Sequence, residues 1–211
     1  EIFALNVAEP KNVQGGNLFP TTPLLMRQGR LEAITWNGRA YELLGGFGRS
    51  IQADIHLNRI DDRALPASIA TLDFTGVTSG PAGLSLTHED SADIVVIDHL
   101  SGIPKPFKLD FGSLLSPNTV ATSFRWSGIA YDRGLFYLSS NTHPVVVVAS
   151  AATAEVVSVL GFEGDAPFSD VVVSDGQIYL PRDHNYFEER PPLLIFDLET
   201  LSTSPHSDAD T

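Results

Sequence analysis

An all-β fold assembled from repeated sheet modules is predicted by three features of this 211-residue chain. First, Val, Ile, Thr, Phe and Tyr gather in short runs bounded by Gly, Pro, Asn and Asp, and no window sustains a helical period. Second, 14 Pro and 17 Gly are spread along the sequence and punctuate many turns. Third, one phrase recurs with drift: LEAITWNGRAYELL from Leu31, WSGIAYDRGLFYLS from Trp126 and FSDVVVSDGQIYLP from Phe168.

Each copy of the phrase reads as a strand, a tight turn carrying Gly38, Gly134 or Gly176, and a second strand with Tyr41, Tyr137 or Tyr179 at a matching place. Ser127 and Ser169 are 42 residues apart, while Glu32 and Ser127 are 95 apart, close to two periods. A degenerate copy is therefore expected between them, at AGLSLTHED from Ala82. A second set of segments, ADIHLNRID from Ala53, ADIVVIDHL from Ala92, HPVVVVASA from His143 and PPLLIFDLE from Pro191, reads as further strands. A third set comprises TLDFTG from Thr71, KLDFGS from Lys108 and VLGFEG from Val159.

Three or four strand signals in roughly 40 to 50 residues is the pattern of a β-propeller blade, a sheet that buries both faces only when its neighbours stack on it. The expectation is a small β-propeller of about four blades, one domain over residues 1–203, with the polar, acidic 204–211 as a frayed tail. EIFALNVAEP at the start resembles the second set and is expected to add a strand to the sheet holding PPLLIFDLE, closing the ring. The alternative is the remnant of one more blade. IPKPF from Ile103, with two prolines, reads as a connector or edge segment.

The net charge of -13, from 26 acidic against 13 basic residues, opposes the phosphate backbone that a nucleic-acid binder must neutralise, so nucleic acid is excluded as a partner. A charged fraction of only 18% points to a surface covered by another subunit, hence a protein partner, with a Ser/Thr-rich surface as the bland alternative. The chain has no cysteine, which removes disulfides, zinc thiolates and thiol nucleophiles. Its start at Glu1 without an initiator Met leads to the expectation of a processed, extracytoplasmic protein, periplasmic or secreted. The longest apolar stretch, Val145 to Ala149 continued by Ala151 and Ala152, is far shorter than the roughly 20 residues of a membrane span, so a chain not integral to a membrane is expected.

WSGIAYDRGLFYLS, followed by an apolar strand, the VLGFEG turn and FSDVVVSDGQIYL, resembles the repeat grammar of SdiA-regulated and phytase-like esterase-type propellers. LEAITWN at 31–37 fits the same grammar, with Ala33 where that pattern has Gly. The chain is also similar, less closely, to the four-bladed hemopexin-type arrangement, whose length it matches. The first resemblance implies acidic residues near the first strand of successive blades that hold a metal in the central channel. The corresponding positions are Glu32, Ser127 and either Ser169 or Asp170. That leaves one clear carboxylate where calcium takes six to eight oxygens, so no cofactor is expected, calcium being the one weighed.

The six histidines, His56, His88, His99, His143, His184 and His206, show no HxH, HxxxH or HExxH spacing. His184 stands out because RDHNYFEER from Arg182 gathers Asp183, His184, Asn185, Tyr186, Glu188 and Glu189 between two strands, and loops on a rigid scaffold carry binding residues. The plain reading of that loop is a solvated polar connection. Asp61 with Asp62, and His88, Glu89, Asp90 and Asp93 in THEDSAD, are expected in turns, where Asp caps backbone groups whatever the function. Glu89, Asp90 and Asp93 are the candidate metal ligands, without the alternation and turn glycine of an EF-hand loop. There is no GxSxG elbow and no SxxK pair, and GGFGRS from Gly45 reads as a hairpin connection.

These features point to a non-catalytic binding or accessory subunit whose loops or rim engage a protein partner in a larger assembly, with Glu32, Asp170, Asp183, His184 and Tyr186 as candidate binding residues. The competing reading is a metal-dependent hydrolase resembling the phytase-like group, using Glu32, Asp170, Asp183 and His184.

Overall fold

The computed structural model describes residues 31–45, 48–56, 58–89, 91–112, 124–162, 167–182 and 193–199. The expected closing strand at the start of the chain, the 204–211 tail, Asp90, and Asp183, His184 and Tyr186 lie outside them. The described residues are all-β, with 15 strands in four antiparallel up-and-down sheets. They divide into two compact units, Glu1–Thr71 and Leu72–Thr211.

The first unit holds one sheet, ordered β1 (Leu31–Trp36), β2 (Tyr41–Gly45), β3 (Arg49–Ala53) and β4 (Arg59–Ala64). Asn37 opens its first hairpin by accepting the Arg39 and Ala40 N–H groups at 3.0 and 2.8 Å, a local bond that competes with strand pairing and so forces a turn. Leu43, Ile51 and Ala53 form its small core. Two acids within the sheet are satisfied. Buried Glu42 accepts hydrogen bonds from Asn37, Ser50 and Gln52, and the Asp62 side chain, 1% exposed, is clamped by Arg49 and Arg59. Asp61 and Asp62 therefore lie in strand β4, not in a turn as expected, because Asp62 faces Ile51 across the ladder with an arginine to either side.

The second unit holds three sheets: β5 (Phe74–Gly80), β6 (Gly83–His88), β7 (Ile94–Asp98) and β8 (Pro104–Phe107); β9 (Trp126–Asp132), β10 (Leu135–Ser140), β11 (Val145–Ser150) and β12 (Val156–Gly161); and β13 (Val172–Ser174), β14 (Gln177–Pro181) and β15 (Leu193–Asp197). Arg133–Gly134 (φ 46° and 87°) and Asp175–Gly176 (φ 52° and 77°) join β9 to β10 and β13 to β14. Positive φ at both central residues defines the type I′ turn whose twist matches a two-residue hairpin. Proline-rich β8 is an edge strand, as its composition requires.

The middle sheet is buried on both faces, which explains the unbroken VVVVA of β11. Ile129, Phe136, Leu138, Val147 and Ala149 pack toward Ile94, Val96 and Phe107 of the preceding sheet. Ala130, Tyr137, Val146 and Val148 pack toward Phe168, Val171, Ile178 and Leu180 of the following one. Each fully buried Leu, Ile or Phe contributes about 1.5 to 3 kcal/mol of transfer free energy, so the sheets stabilise one another.

The structure shifts three segment assignments. The degenerate copy begins at Phe74, not Ala82: Phe74-Thr75-Gly76-Val77 opens β5, and Gly83–His88 is the second strand of that sheet. The third set of segments is not one set, because Phe74 starts a first strand whereas Phe111 and Phe162 follow the outer strands β8 and β12. Finally, Ala53–Asp61 is no third strand. That role belongs to Arg49–Ala53, and the segment runs through a turn into β4.

Candidate functional site

A bulge recurs at one place in every sheet. Leu31 pairs with Gly45 and Ala33 with Leu44; Phe74 pairs with His88 and Gly76 with Thr87; Trp126 pairs with Ser140 and Gly128 with Ser139. The skipped residues are Glu32, Thr75 and Ser127. In the last sheet Phe168 bridges Arg182 while Val172 pairs with Tyr179, the same one-residue offset, with Ser169 near it. Bulges re-aim a side chain, and here they turn a hydroxyl back onto the sheet. Thr75 bonds Thr87 at 3.0 Å, Ser127 bonds Ser139 at 2.9 Å, and Ser169, facing a proline, donates to the Pro181 carbonyl at 3.2 Å. Thr75 is the member of this set that sequence reading missed, although Phe74-Thr75-Gly76-Val77 matches Trp126-Ser127-Gly128-Ile129 residue for residue in type.

The residue after the bulge is where first strands of neighbouring sheets touch. A Cβ added at Gly76 would stand 2.9 Å from Gly128 Cα and from the Ile129 nitrogen, and one at Gly128 would stand 2.8 Å from the Val171 nitrogen and 2.9 Å from Asp170 Cα. Two successive sheets thus require glycine at this contact, and the third carries Asp170 in the same position.

Asp170 is exposed as a residue, yet one carboxyl oxygen lies over the Gly128 backbone and protein crowds that side of the group. Desolvation pushes its pKa from 3.8 up to about 6, against the lowering pull of the Val171 N–H, which it accepts at 2.8 Å. The native state therefore holds this proton more tightly than the unfolded chain. Stability from this group is greatest below about pH 3.8, falls as pH rises toward 6, and is flat above. Asp170→Asn should gain on the order of 1 kcal/mol at pH 7, a value reduced for the water that still reaches the carboxyl, and nothing below pH 3.8. Urea melts across that pH range check it, and a loss of stability at pH 7 would contradict it.

Of the other candidate residues, Glu32 is the bulged residue of β1 in the first unit, whereas Asp170 belongs to the second. Glu89 is exposed and Asp93 half-buried in the connection from β6 to β7, where the Asp93 N–H is capped by Ser91 at 3.0 Å. Among the described residues no group of three His, Asp or Glu side chains is placed to share a metal ion.

At the opposite end of the second unit, the end of the β5–β6 and β9–β10 turns, lies a cleft of about 260 Å³ between the first two of its sheets. Phe107, Tyr131 and Phe136 form its walls, Phe136 meeting the other two rings edge-on at 5.6 and 5.8 Å. Gly80 lies under the Tyr131 ring, where a Cβ would be at 3.5 Å, and Pro81, Ala82 and Pro106 complete the apolar rim. Asp98 is spent on the β7–β8 turn, accepting from Leu100 N at 3.0 Å and from Ser101 N and Oγ at 2.7 and 2.9 Å. Those bonds, Ser101 first, hold its pKa below the ordinary value. The turn it fixes thrusts Leu100 outward at 98% exposure and Ile103 at 56%. Lys105 lines the same cleft. Sequence reading missed this site because its walls come from five separate segments, none with a local signature.

No protein-family model matches this chain, and no curated protein matches it. Among solved structures it is similar to hydrazine synthase of Kuenenia stuttgartiensis (TM-score 0.55, 14% identity, 89% of this chain and 50% of that one). It is also similar to the Neurospora crassa Pan2 WD40 domain (0.53, 14%, 81% and 49%) and to Myxococcus xanthus glutaminyl cyclase (0.53, 10%, 74% and 63%). The chain spans about half to two thirds of the length of these structures. No helix of the described residues is long and apolar enough to cross a membrane. With blade-like four-stranded meanders and these likenesses together, the chain has the β-propeller fold.

Proposed function

We propose that this chain is a non-catalytic binding or accessory module that engages a protein partner, and that the aromatic cleft beside Leu100 and Ile103 is its contact surface. The observation that carries the reading is a turn bearing two exposed apolar side chains, whose flanking residues Asp98 and Lys105 line an aromatic cleft. A leucine at 98% exposure on a turn fixed by three hydrogen bonds stands next to a cleft walled by three rings. Isolated exposed leucines are ordinary, whereas two exposed apolar side chains on a hydrogen-bonded turn that leads into an aromatic cleft have the form of an interaction site. A WD40 domain stands among the similar structures, which is compatible with such a role.

The test is a comparison of the native chain with Leu100→Asp/Ile103→Asp. Both side chains are exposed, so the variant should keep its fold to within about 0.5 kcal/mol. In material from the natural source the native chain is expected in a species larger than its own denatured monomer mass by light scattering, and the double variant at its monomer mass. A native chain at monomer mass, or a variant that assembles as the native chain does, would sink the proposal.

A further inference from the structure

One repeat position in the second unit carries a buried polar side chain in all three sheets: His88, Ser140 and Arg182, at the ends of the second strands, opposite Phe74, Trp126 and Phe168. It lies at the end of the unit away from the aromatic cleft. In the middle sheet the group is fully used. The Ser140 hydroxyl accepts the Thr142 and His143 N–H groups at 3.2 Å each and shares a 2.9 Å bond with the Thr142 hydroxyl, fixing the loop into β11. In the flanking sheets it is not. Among the described residues, Arg182, 9% exposed, has no hydrogen-bond partner for Nε and Nη1, and His88, 8% exposed, has none for Nδ1.

A guanidinium taken out of water with two of its three nitrogens unpaired costs several kcal/mol, more than the neutral methylenes of its stem return. A group buried at that cost is explained when a ligand supplies the acceptor. We infer that Arg182 is an anion-binding residue, and that its ligand is an organic molecule or chain presenting a carboxylate group.

The carboxylate follows from the surroundings. A carboxylate oxygen is a charged acceptor suited to either of the bare Nε–H and Nη1–H groups, a charge-assisted bond stronger than one to a neutral acceptor. The net charge of -13 disfavours ligands of higher negative charge relative to a monoanion. Phosphate would call for more donors, and the hydroxyl of Ser169, next to Phe168, is already committed to the Pro181 carbonyl. This site is independent of the protein-binding cleft and stands or falls separately from it.

The test uses the full chain labelled with nitrogen-15, titrated with sodium acetate against sodium chloride at equal ionic strength. The arginine Nε–H resonance that disappears in Arg182→Lys is expected to move saturably with acetate and not with chloride. Thermal melts should show stabilisation by acetate in the native chain and at least tenfold weaker acetate binding in Arg182→Gln. If that variant does not fold, the resonance of the native chain decides alone. A resonance indifferent to acetate overturns the proposal, and one that responds more strongly to inorganic phosphate overturns the carboxylate assignment. A resonance that moves only when Asp183, Glu188 and Glu189 are neutralised also overturns it, giving Arg182 to the chain's own acidic segment.

Discussion

Gly128→Ala is expected to destabilise the second unit by about 3 kcal/mol, although the same exchange elsewhere in a strand is stabilising. The usual gain from alanine, about 0.5 to 1 kcal/mol, comes from the entropy that glycine loses on folding. At position 128 the new methyl would meet backbone, the Val171 nitrogen at 2.8 Å and Asp170 Cα at 2.9 Å, and neither can swing aside as a flexible side chain would. Relief requires the first strands of two sheets to separate, loosening Ala130, Val171 and Ile178 together. Gly161→Ala is the matched control, since a Cβ there meets nothing within 4 Å, and it should be neutral or slightly favourable. Urea unfolding of both variants checks the pair, and equal midpoints would refute the nested contact.

Trp126→Ala should cost about 4 kcal/mol, the upper range for deleting a large buried ring. The side chain is fully buried, lies parallel to Phe124 at a centroid distance of 5.4 Å, and joins a cluster with Ile94 and Ile129. Its indole N–H donates to the Ala92 carbonyl at 2.8 Å, which ties the start of one sheet to the approach of β7 in the sheet before. Trp126→Phe separates the two contributions. It keeps most of the packing and leaves that carbonyl without its donor, at about 1 to 2 kcal/mol. A phenylalanine variant as unstable as the alanine one would show that packing of the second ring, not the hydrogen bond and general burial, dominates.

The fold was legible in the sequence wherever the phrase kept its turn glycine and its tyrosine. The copies at Trp126 and Phe168 share a two-residue turn, so first and second strands fall in step and the eye aligns them. The copy at Phe74 has the same spacing, Gly80 pairing with Gly83 across Pro81 and Ala82. It has no residue-glycine turn of the Arg133-Gly134 kind and carries Ser85 where Tyr137 stands, so nothing familiar marks its first strand and AGLSLTHED reads alone. The clearer signal was the four-residue opening: a large apolar residue, the bulged polar one, a small one, and a β-branched one. Leu31-Glu32-Ala33-Ile34, Phe74-Thr75-Gly76-Val77, Trp126-Ser127-Gly128-Ile129 and Phe168-Ser169-Asp170-Val171 all satisfy it, and Asp170 is the sole departure at the small position.

The sites were less legible for a physical reason. Counting carboxylates near first strands picked out Glu32 and Asp170, but these occupy different places in the phrase, the bulge and the residue after it. The cleft depends on how two sheets splay at their turn ends, which no local pattern encodes. Arg182 looked like the first residue of a polar loop, whereas its pairing with Phe168 and its burial put it in the sheet.

The claim on which the rest depends is that first strands of successive sheets nest backbone to backbone at the small residue of the phrase. Nuclear Overhauser contacts measure this directly. The account predicts cross-peaks from the Gly76 Hα protons to the Ile129 amide and from the Gly128 Hα protons to the Val171 amide. Their absence, with each glycine instead showing contacts only inside its own sheet, would contradict it.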